Sequence, residues 1–215
     1  MDRISFSRVL PQVFTTSSAL SESDIWQRDV SFERGRSYLL EAESGRGKST
    51  FCSYILGYRR DYGGRIGFDG RDARTFGIAD WSLLRRRQVS CLFQELRLFP
   101  ELTAYENVDI KRRLTRHRTR RQILDWFERL GIADKADTKV ALLSFGQQQR
   151  VAMIRALVQP FDFLLADEPI SHLDDRHAAL MAQLVREEAD AQGAAVIVTS
   201  IGKRLPMDYD NTLRL

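Results

Sequence analysis

Three stretches of this chain carry residue types that can do phosphate chemistry. The first is Ala42-Glu43-Ser44-Gly45-Arg46-Gly47-Lys48-Ser49-Thr50. Gly45 and Gly47 let the backbone curl so that successive N–H groups converge on an anion. Lys48 adds a point charge suited to β- and γ-phosphates, and the Ser49 hydroxyl can ligate Mg2+. The second is Phe163-Leu164-Leu165-Ala166-Asp167-Glu168-Pro169, an apolar run that ends in two adjacent carboxylates. A strand buried on both faces ends abruptly in charge where that end meets a site. Between them lies Leu143-Ser144-Phe145-Gly146-Gln147-Gln148-Gln149-Arg150, a polar run that opens a helical pattern through Leu157. A helix N-terminus carries free N–H groups and partial positive charge, so it suits phosphate. The chain thus has two phosphate-seeking helix starts.

These residues need elements to hold them. The strand Ser37–Leu40 precedes the glycine-rich stretch and a helical run, 51–56, follows it. Strand, glycine-rich turn and helix is the context a P-loop requires. Ala42 stands where that motif usually opens on glycine, which a negative φ tolerates. Short strands are expected near Ile4–Phe6 and Asp29–Phe32, then Arg65–Phe68 ending in a turn at Asp69-Gly70. Trp81–Arg87 reads as a short basic helix, and Val89–Phe93 as an apolar strand that ends at Gln94. Residues of about 104–137 have apolar positions at helical spacing, Ile123, Leu124, Trp126, Phe127, Leu130 and Ile132 among them. A helix over Ala178–Ala191, a strand over Ala194–Thr199 and a last strand at Thr212–Leu215 complete the order. Strands alternating with helices argue for a mostly parallel sheet.

Composition fits one compact α/β unit. The chain has 215 residues, 33 Lys+Arg against 29 Asp+Glu, and a net charge of +4. That bias is too mild to mark a nucleic-acid binder. Cys52 and Cys91 have no metal-like spacing, and reduced structural thiols are the simplest account. No apolar run approaches the ~18–20 residues that span a bilayer, and Met1–Phe6 shows no signal-peptide core. If the protein works at a membrane, a partner holds it there.

In this order, the three stretches resemble the ATP-binding-cassette (ABC) ATPases. The resemblance runs from about Ile4 to Leu215. It is nearest to the short ATPases of lipoprotein-release, macrolide-export and cell-division systems, through the stretch from Phe93-Gln94-Glu95 to Glu106-Asn107-Val108. It implies a P-loop NTPase fold of α/β class. Such a fold has a mostly parallel central sheet, an N-terminal antiparallel β subdomain and an inserted α-helical subdomain. One ABC ATPase domain would span 1–215, with the helical subdomain at approximately 95–143. ATP would lie on Ser44, Gly45, Arg46, Gly47, Lys48, Ser49 and Thr50, with Phe14 stacked on adenine and Trp26 as the rival aromatic. Mg2+ would be held by Ser49, Gln94 and Asp167. Glu168 would be the general base, assisted by Lys48 and Gln94. Ser144, Phe145, Gly146 and Gln147 would close over ATP held by a second subunit, with Phe145 at a position where glycine is usual. Ser171-His172-Leu173-Asp174 matches the D-loop of the dimer interface.

The resemblance also implies partners and a place of work. The chain would pair with a second ABC subunit, identical or different, and drive a multi-span membrane permease. It would sit in the cytoplasm, peripheral to the inner face of the membrane. Glu95, Leu98, Phe99 and Tyr105 lie where such a permease would dock. The basic run Lys111-Arg112-Arg113, Arg116, Arg118 and Arg120-Arg121 is either a solvated helix face or a contact for anionic headgroups. DNA-repair and translation types of the family carry coiled-coil insertions or two cassettes, which this chain lacks, so no nucleic-acid partner is expected. One expected residue is missing. Ser200 stands where the family places a switch histidine, which puts the hydrolysis rate in doubt and leaves ATP binding intact. Two alternatives therefore stand beside the transporter subunit. They are an ABC ATPase acting mechanically on an envelope complex and a weakly hydrolysing, nucleotide-dependent clamp.

Overall fold

The structure, a computed structural model, describes residues 1–14, 23–43 and 45–215. The chain opens with β1 (Arg3–Pro11), which pairs antiparallel with β2 (Asp29–Glu33). After β3 (Ser37–Glu41) and α1 (Lys48–Ile55), β4 (Tyr62–Phe68) pairs antiparallel with the other edge of β1. A short β5 (Arg71–Asp72) completes this sheet in the order β2-β1-β4-β5. Helix α2 (Ile78–Leu83) then runs through a wide π-helical turn, Leu84–Gln88, into β6 (Val89–Leu92). The basic helix expected at Trp81–Arg87 is thus split between a helix end and that turn. There follow α3 (Ala104–Thr115), α4 (Arg120–Arg129), α5 (Phe145–Leu157), β7 (Phe163–Asp167), α6 (Asp175–Gln192), β8 (Ala195–Ser200) and β9 (Asn211–Arg214). The second sheet is all parallel, in the order β6-β7-β8-β3-β9.

The central strands β7 and β8 are buried on both faces because they are apolar over most of their length. Side chains alternate between faces. Leu164, Ala166, Val196, Val198 and Leu39 face the core shared with α3, α4, α5 and α6. Phe163, Leu165, Ala195, Ile197 and Leu40 face the core shared with α1 and the antiparallel sheet. This α/β architecture, with an antiparallel β subdomain on one side and an inserted helical subdomain on the other, is the expected fold.

The inserted helices are short and depend on packing. Helix α4 has ten residues, too few to persist alone in water. It is held by Ile123, Trp126 and Phe127, spaced i, i+3, i+4 and all buried. Each such side chain contributes about 1.5–3 kcal/mol by leaving water. The pattern expected to be helical over about 104–137 is interrupted for local reasons. Arg116 ends α3 in the left-handed conformation, φ 52°, and Thr119 caps α4 by accepting from Gln122 N at 3.3 Å.

β1 aims the chain at the phosphate loop. Its register shifts between Ser7 and Leu10, where Arg8 has φ 49°. Beyond this bulge the strand runs into a single 3-10 turn, Gln12–Phe14, which lies over the start of α1. The bulge fits only because Gly64 faces it with φ +79°. A Cβ there would lie 2.5 Å from the Ser7 carbonyl oxygen and closer still to that of Arg8. Gly64→Ala is expected to cost about 2–4 kcal/mol, from left-handed strain plus a backbone clash. Gly63→Ala, whose Cβ would have 4.0 Å to its nearest neighbour, is the control and should cost under about 1 kcal/mol. Urea unfolding of both variants checks this.

Candidate functional site

The phosphate loop turns on its last glycine. Gly47 has φ +100°, and a Cβ there would come within 2.8 Å of Phe14 Cε2 and 3.2 Å of Trp26 Cζ2. Two aromatics therefore lie against the loop, in different roles. Trp26 is buried and its Nε1 donates to the Arg46 carbonyl at 3.2 Å, so it supports the loop from within. Phe14 is half-buried and lines the cavity above the loop. Their centroids are 6.4 Å apart at 48°. Of the two candidate stackers, Phe14 lines the cavity and Trp26 does not.

That cavity, of about 470 Å3, is lined by Phe14, Gly45, Gly47, Lys48, Ser49, Thr50, Gln94 and Glu168, with Val13 and Ile201 at its edge. Parts of the chain more than 150 residues apart thus converge, as the numbering of Val13 and Ile201 shows. Ser44 lies outside the described residues. Arg46 does not line this cavity; it contacts Glu43 at 3.4 Å and borders a neighbouring one.

Lys48 is buried at the N-terminus of α1. Its Nζ donates to the carbonyls of Ala42 at 3.3 Å and Glu43 at 3.2 Å, and lies 3.6 Å from Glu168 Oε1. Ser49 Oγ donates to Asp167 Oδ2 at 3.3 Å, joining α1 to the end of β7. Thr199 of β8 donates to the other oxygen, Oδ1. Burial pushes the Asp167 carboxyl above the usual carboxylate range, and the bonds from Thr199 and Ser49 and the charge of Lys48 only partly oppose it. Two hard oxygens, one anionic, set side by side at a phosphate cavity fit a Mg2+ ion that keeps most of its ligands as phosphate and water. Among the described residues, no cluster of three or more His, Cys, Asp or Glu could hold a metal by itself.

Glu168 follows with φ 49°, a left-handed conformation that costs a non-glycine residue about 1–2 kcal/mol. Surrounding bonds impose it. Glu168 N donates to Thr199 O at 3.1 Å, and Gln149 Nε2 donates to Glu168 O at 3.4 Å. Gln149 also donates to Ser171 Oγ at 3.1 Å and accepts from His172 N at 3.3 Å. Thr199 and Gln149 were not among the residues expected from sequence. Thr199 reads as an ordinary strand residue, and Gln149 as one of three consecutive glutamines.

Ser144, Phe145, Gly146 and Gln147 stand apart from this cavity; none of them lines it. They form the start of α5. Gln147 N donates to Ser144 Oγ at 3.3 Å, and Ser144 N donates to Gln147 Oε1 at 2.9 Å. This capping box orders the helix start while Ser144 and Phe145 stay exposed. Phe145 packs on His172, with centroids 4.3 Å apart.

Ser200, at the end of β8, does not aim a free hydroxyl at Glu168. Its Oγ donates to Lys203 O at 2.9 Å and accepts from Gly202 N at 3.1 Å, closing a tight turn. The basic run is also largely committed. Arg112 and Arg113 share Asp109, Arg118 pairs with Glu188, and Arg120 lies over the Tyr105 ring at 5.2 Å. Phe99 lines a separate groove beside β6, while Glu95, Leu98 and Tyr105 do not.

A glycine-rich loop with Lys-Ser at a helix start, facing Asp-Glu at a strand end, defines a P-loop nucleotide site. Comparison with known proteins agrees. The family described as ABC transporter matches residues 27–171. An uncharacterized ABC transporter ATP-binding protein of Mycobacterium tuberculosis (strain H37Rv) is 34% identical over 96% of this chain and 63% of its own length. The chain thus spans less than two thirds of that relative. The macrolide export ATP-binding/permease protein MacB of Nitrosomonas europaea is 35% identical over 80% of this chain and 26% of its own length. Among solved structures, a dimeric post-hydrolysis state of the ATP-binding cassette MJ0796 bound to ADP and Pi superposes with a TM-score of 0.77. It is 26% identical and covers 92% of this chain and 87% of that one. The chain belongs to the ABC transporter ATP-binding family. Among the described residues, no helix is long and apolar enough to cross a membrane.

The cost of burying Asp167 yields a test. Asp167→Asn keeps an acceptor for Thr199 and removes a buried charge. It should leave thermal stability unchanged or raise it by about 2–4 °C, the equivalent of roughly 1 kcal/mol in a chain of this size. Mg2+-dependent nucleotide binding should be lost. Differential scanning fluorimetry with and without MgATP separates the two effects.

Proposed function

We propose that this chain is the ATP-binding and ATP-hydrolysing subunit of an ABC transporter, pairing on ATP with a second cassette to drive a separate membrane permease. One observation carries the proposal. Lys48, Ser49 and Glu168 line one cavity, with Lys48 Nζ 3.6 Å from Glu168 and the buried Asp167 3.3 Å behind Ser49 Oγ. ATP lies with its phosphates on the N–H groups of 45–50 and its base against Phe14. Ser49, Asp167 and Gln94 are the residues that would hold Mg2+, which supplies charge neutralisation to the phosphate oxygens when bound.

Lys48 exchanges Glu168 for the γ-phosphate when ATP enters. That exchange frees the Glu168 carboxylate to accept a proton from water, so substrate binding itself arms the base. Ser144, Gly146 and Gln147 of a second subunit then close the cavity from outside, because the chain's own signature residues lie elsewhere. A relative whose name joins ATP-binding and permease supports a membrane partner for this chain as well. The work is done in the cytoplasm, at the inner face of the membrane.

The turn that binds the Ser200 hydroxyl favours slow turnover. A missing preorganised donor at the γ-phosphate costs about 2.7–4 kcal/mol of transition-state stabilisation, roughly 100- to 1,000-fold in rate. ATP affinity should be ordinary and kcat low. Because the hydroxyl is spent on Lys203 O, Ser200→Ala should hold kcat within about twofold. Brisk wild-type turnover would refute the slow-enzyme reading.

Trapping tests the dimer. Glu168→Gln should bind MgATP, fail to hydrolyse it and elute as a dimer in size-exclusion chromatography. A variant that stays monomeric with nucleotide bound, alone and when co-expressed with any cassette encoded beside it, would refute the composite site.

A further inference from the structure

The chain has two cysteines, Cys52 in α1 and Cys91 in β6, and both are free thiols. Cys91 lies level with Leu165 in the parallel register of β6 and β7. Residues level with each other in a sheet point to the same face. That face is the core shared with α1, where Cys52 is buried and against which Cys91 packs. The two thiols meet there. The hydrogen bond to Cys91, and then burial, hold the Cys52 thiol well above its ordinary value. Cys91 itself is half-buried and lines the groove of about 250 Å3 beside β6. One thiol therefore opens to solvent, and the other lies sealed behind it.

The groove around Cys91 is cationic. Lys111 of α3, Arg155 of α5 and Arg85 line it, and no carboxylate does. Lys111 Nζ donates to Ser90 Oγ at 3.2 Å, and the buried Ser90 spends its own proton on Ala156 O at 2.6 Å. Arg155 donates to the carbonyls of Leu96 and Arg97, at 2.5 and 2.6 Å. Among the described residues, neither cation has a carboxylate within ion-pair distance, whereas Arg112 and Arg113 share Asp109 and Arg118 has Glu188. An interior cation without a counter-ion is costly. Burial, and then Arg155, hold the Lys111 ammonium down at about 7, while negative charge on Cys91 pulls it back up. A thiolate at Cys91 is thus the anion that this groove lacks, and the amine beside it exchanges protons near neutral pH.

We propose that Cys91 is a peroxide-reactive thiol and that Cys52 resolves its oxidised form into an intramolecular disulfide joining α1 to β6. The oxidant is a small hydroperoxide. Cys91 passes its proton to the Lys111 amine, and the thiolate attacks one peroxide oxygen. The O–O bond breaks, the Cys91 sulfur becomes a sulfenic acid, and the leaving hydroxide takes the Lys111 proton to form water. The Cys52 sulfur then attacks the Cys91 sulfur, the S–O bond breaks, and hydroxide departs with the Cys52 proton as a second water. The thiol pair loses two electrons and the peroxide gains them. Access fixes the order: Cys91 meets solvent in the groove, and the buried Cys52 meets Cys91. Cys52 stands one helical turn after Lys48, and Cys91 three residues before Gln94. The bond would therefore tie the helix of the phosphate loop to the strand that leads to Gln94.

The test uses the full chain, reduced and then exposed to a slight excess of hydrogen peroxide near neutral pH. Thiols are counted after denaturation, and linked peptides are mapped by mass spectrometry without reduction. The wild type should lose both thiols together, run as a single chain on a non-reducing denaturing gel, yield a peptide pair joining Cys52 to Cys91, and recover both thiols with dithiothreitol. Cys52→Ala should stop at a sulfenic acid on Cys91, trapped by dimedone, and Cys91→Ala should leave the Cys52 thiol unreacted. Lys111→Met keeps the stem and removes the charge; it should slow loss of the Cys91 thiol about tenfold, with the circular dichroism spectrum unchanged. Survival of both thiols in peroxide, or a disulfide found between chains alone, would overturn the proposal. So would a sulfinic acid on Cys91 beside an intact Cys52 thiol, or dimedone captured by Cys52 in Cys91→Ala. An unchanged rate in Lys111→Met would refute the cationic groove as the source of the reactivity. Should an alanine variant fail to fold, the thiol count and peptide map of the wild type decide.

Discussion

A carboxylate stands at the end of a strand that otherwise meets no water. All five residues of β7 are buried, and Asp167, the last, is no exception. A charge in that place survives only with donors fixed around it. Ser49 supplies one and Thr199 the other. Each requirement then spreads outward. Ser49 must sit in the first turn of α1, so the chain must curl tightly before it. Thr199 must lie beside Asp167, as the parallel register of β7 and β8 places it. The aromatic layer of Phe14 and Trp26 backs the same curl from the opposite side. The central strands are thus arranged around a group that the fold alone would be more stable without.

Helix α5 is the part that relates this centre to everything else. It has thirteen residues, a rod of roughly 20 Å. At its exposed end are Ser144 and Gln147. One turn in, Gln149 holds the carbonyl of Glu168 and the loop carrying Ser171 and His172. Two turns further, Arg155 holds the carbonyls of Leu96 and Arg97, just past Gln94. A rigid element that touches the outer surface, the Glu168 carbonyl and the loop after Gln94 cannot shift at one of these without straining the others. This is a physical route by which contact at the surface of the cassette reaches its interior.

Sequence made the locally determined parts legible. A glycine-rich turn before Lys48, an apolar strand ending in Asp167-Glu168 and a Ser-x-Gly-Gln helix start each declare themselves in under ten residues. The mostly parallel sheet follows from alternating strands and helices, though its strand order does not. What sequence hid was whatever depends on a distant partner. Lys111 sits in a run of basic residues and reads as one more solvated charge. Only the fold brings Ser90 and Arg155 against it and turns its neighbours toward Asp109 and Glu188. Ser200 was legible as a missing histidine, but not as the knot of a turn, because Lys203 O and Gly202 N reach it through backbone geometry. Thr199 and Gln149 gave no signal at all. A threonine in a β-branched run and a glutamine among glutamines are chemically silent until their neighbours are in place. The long helical pattern after Thr103 misled in one respect, since periodicity does not register the left-handed residue at Arg116.

Glu168 occupies a backbone conformation that glycine or asparagine adopts with little strain. Substitution by either would relieve the main chain and, in the same step, remove the carboxylate that lies 3.6 Å from the buried Lys48 ammonium. Relief of backbone strain is therefore set against the loss of a counter-charge for a buried cation. Backbone and side chain thus pull this residue in opposite directions, so a tough variant recovered by directed evolution for heat resistance should be checked first at this codon.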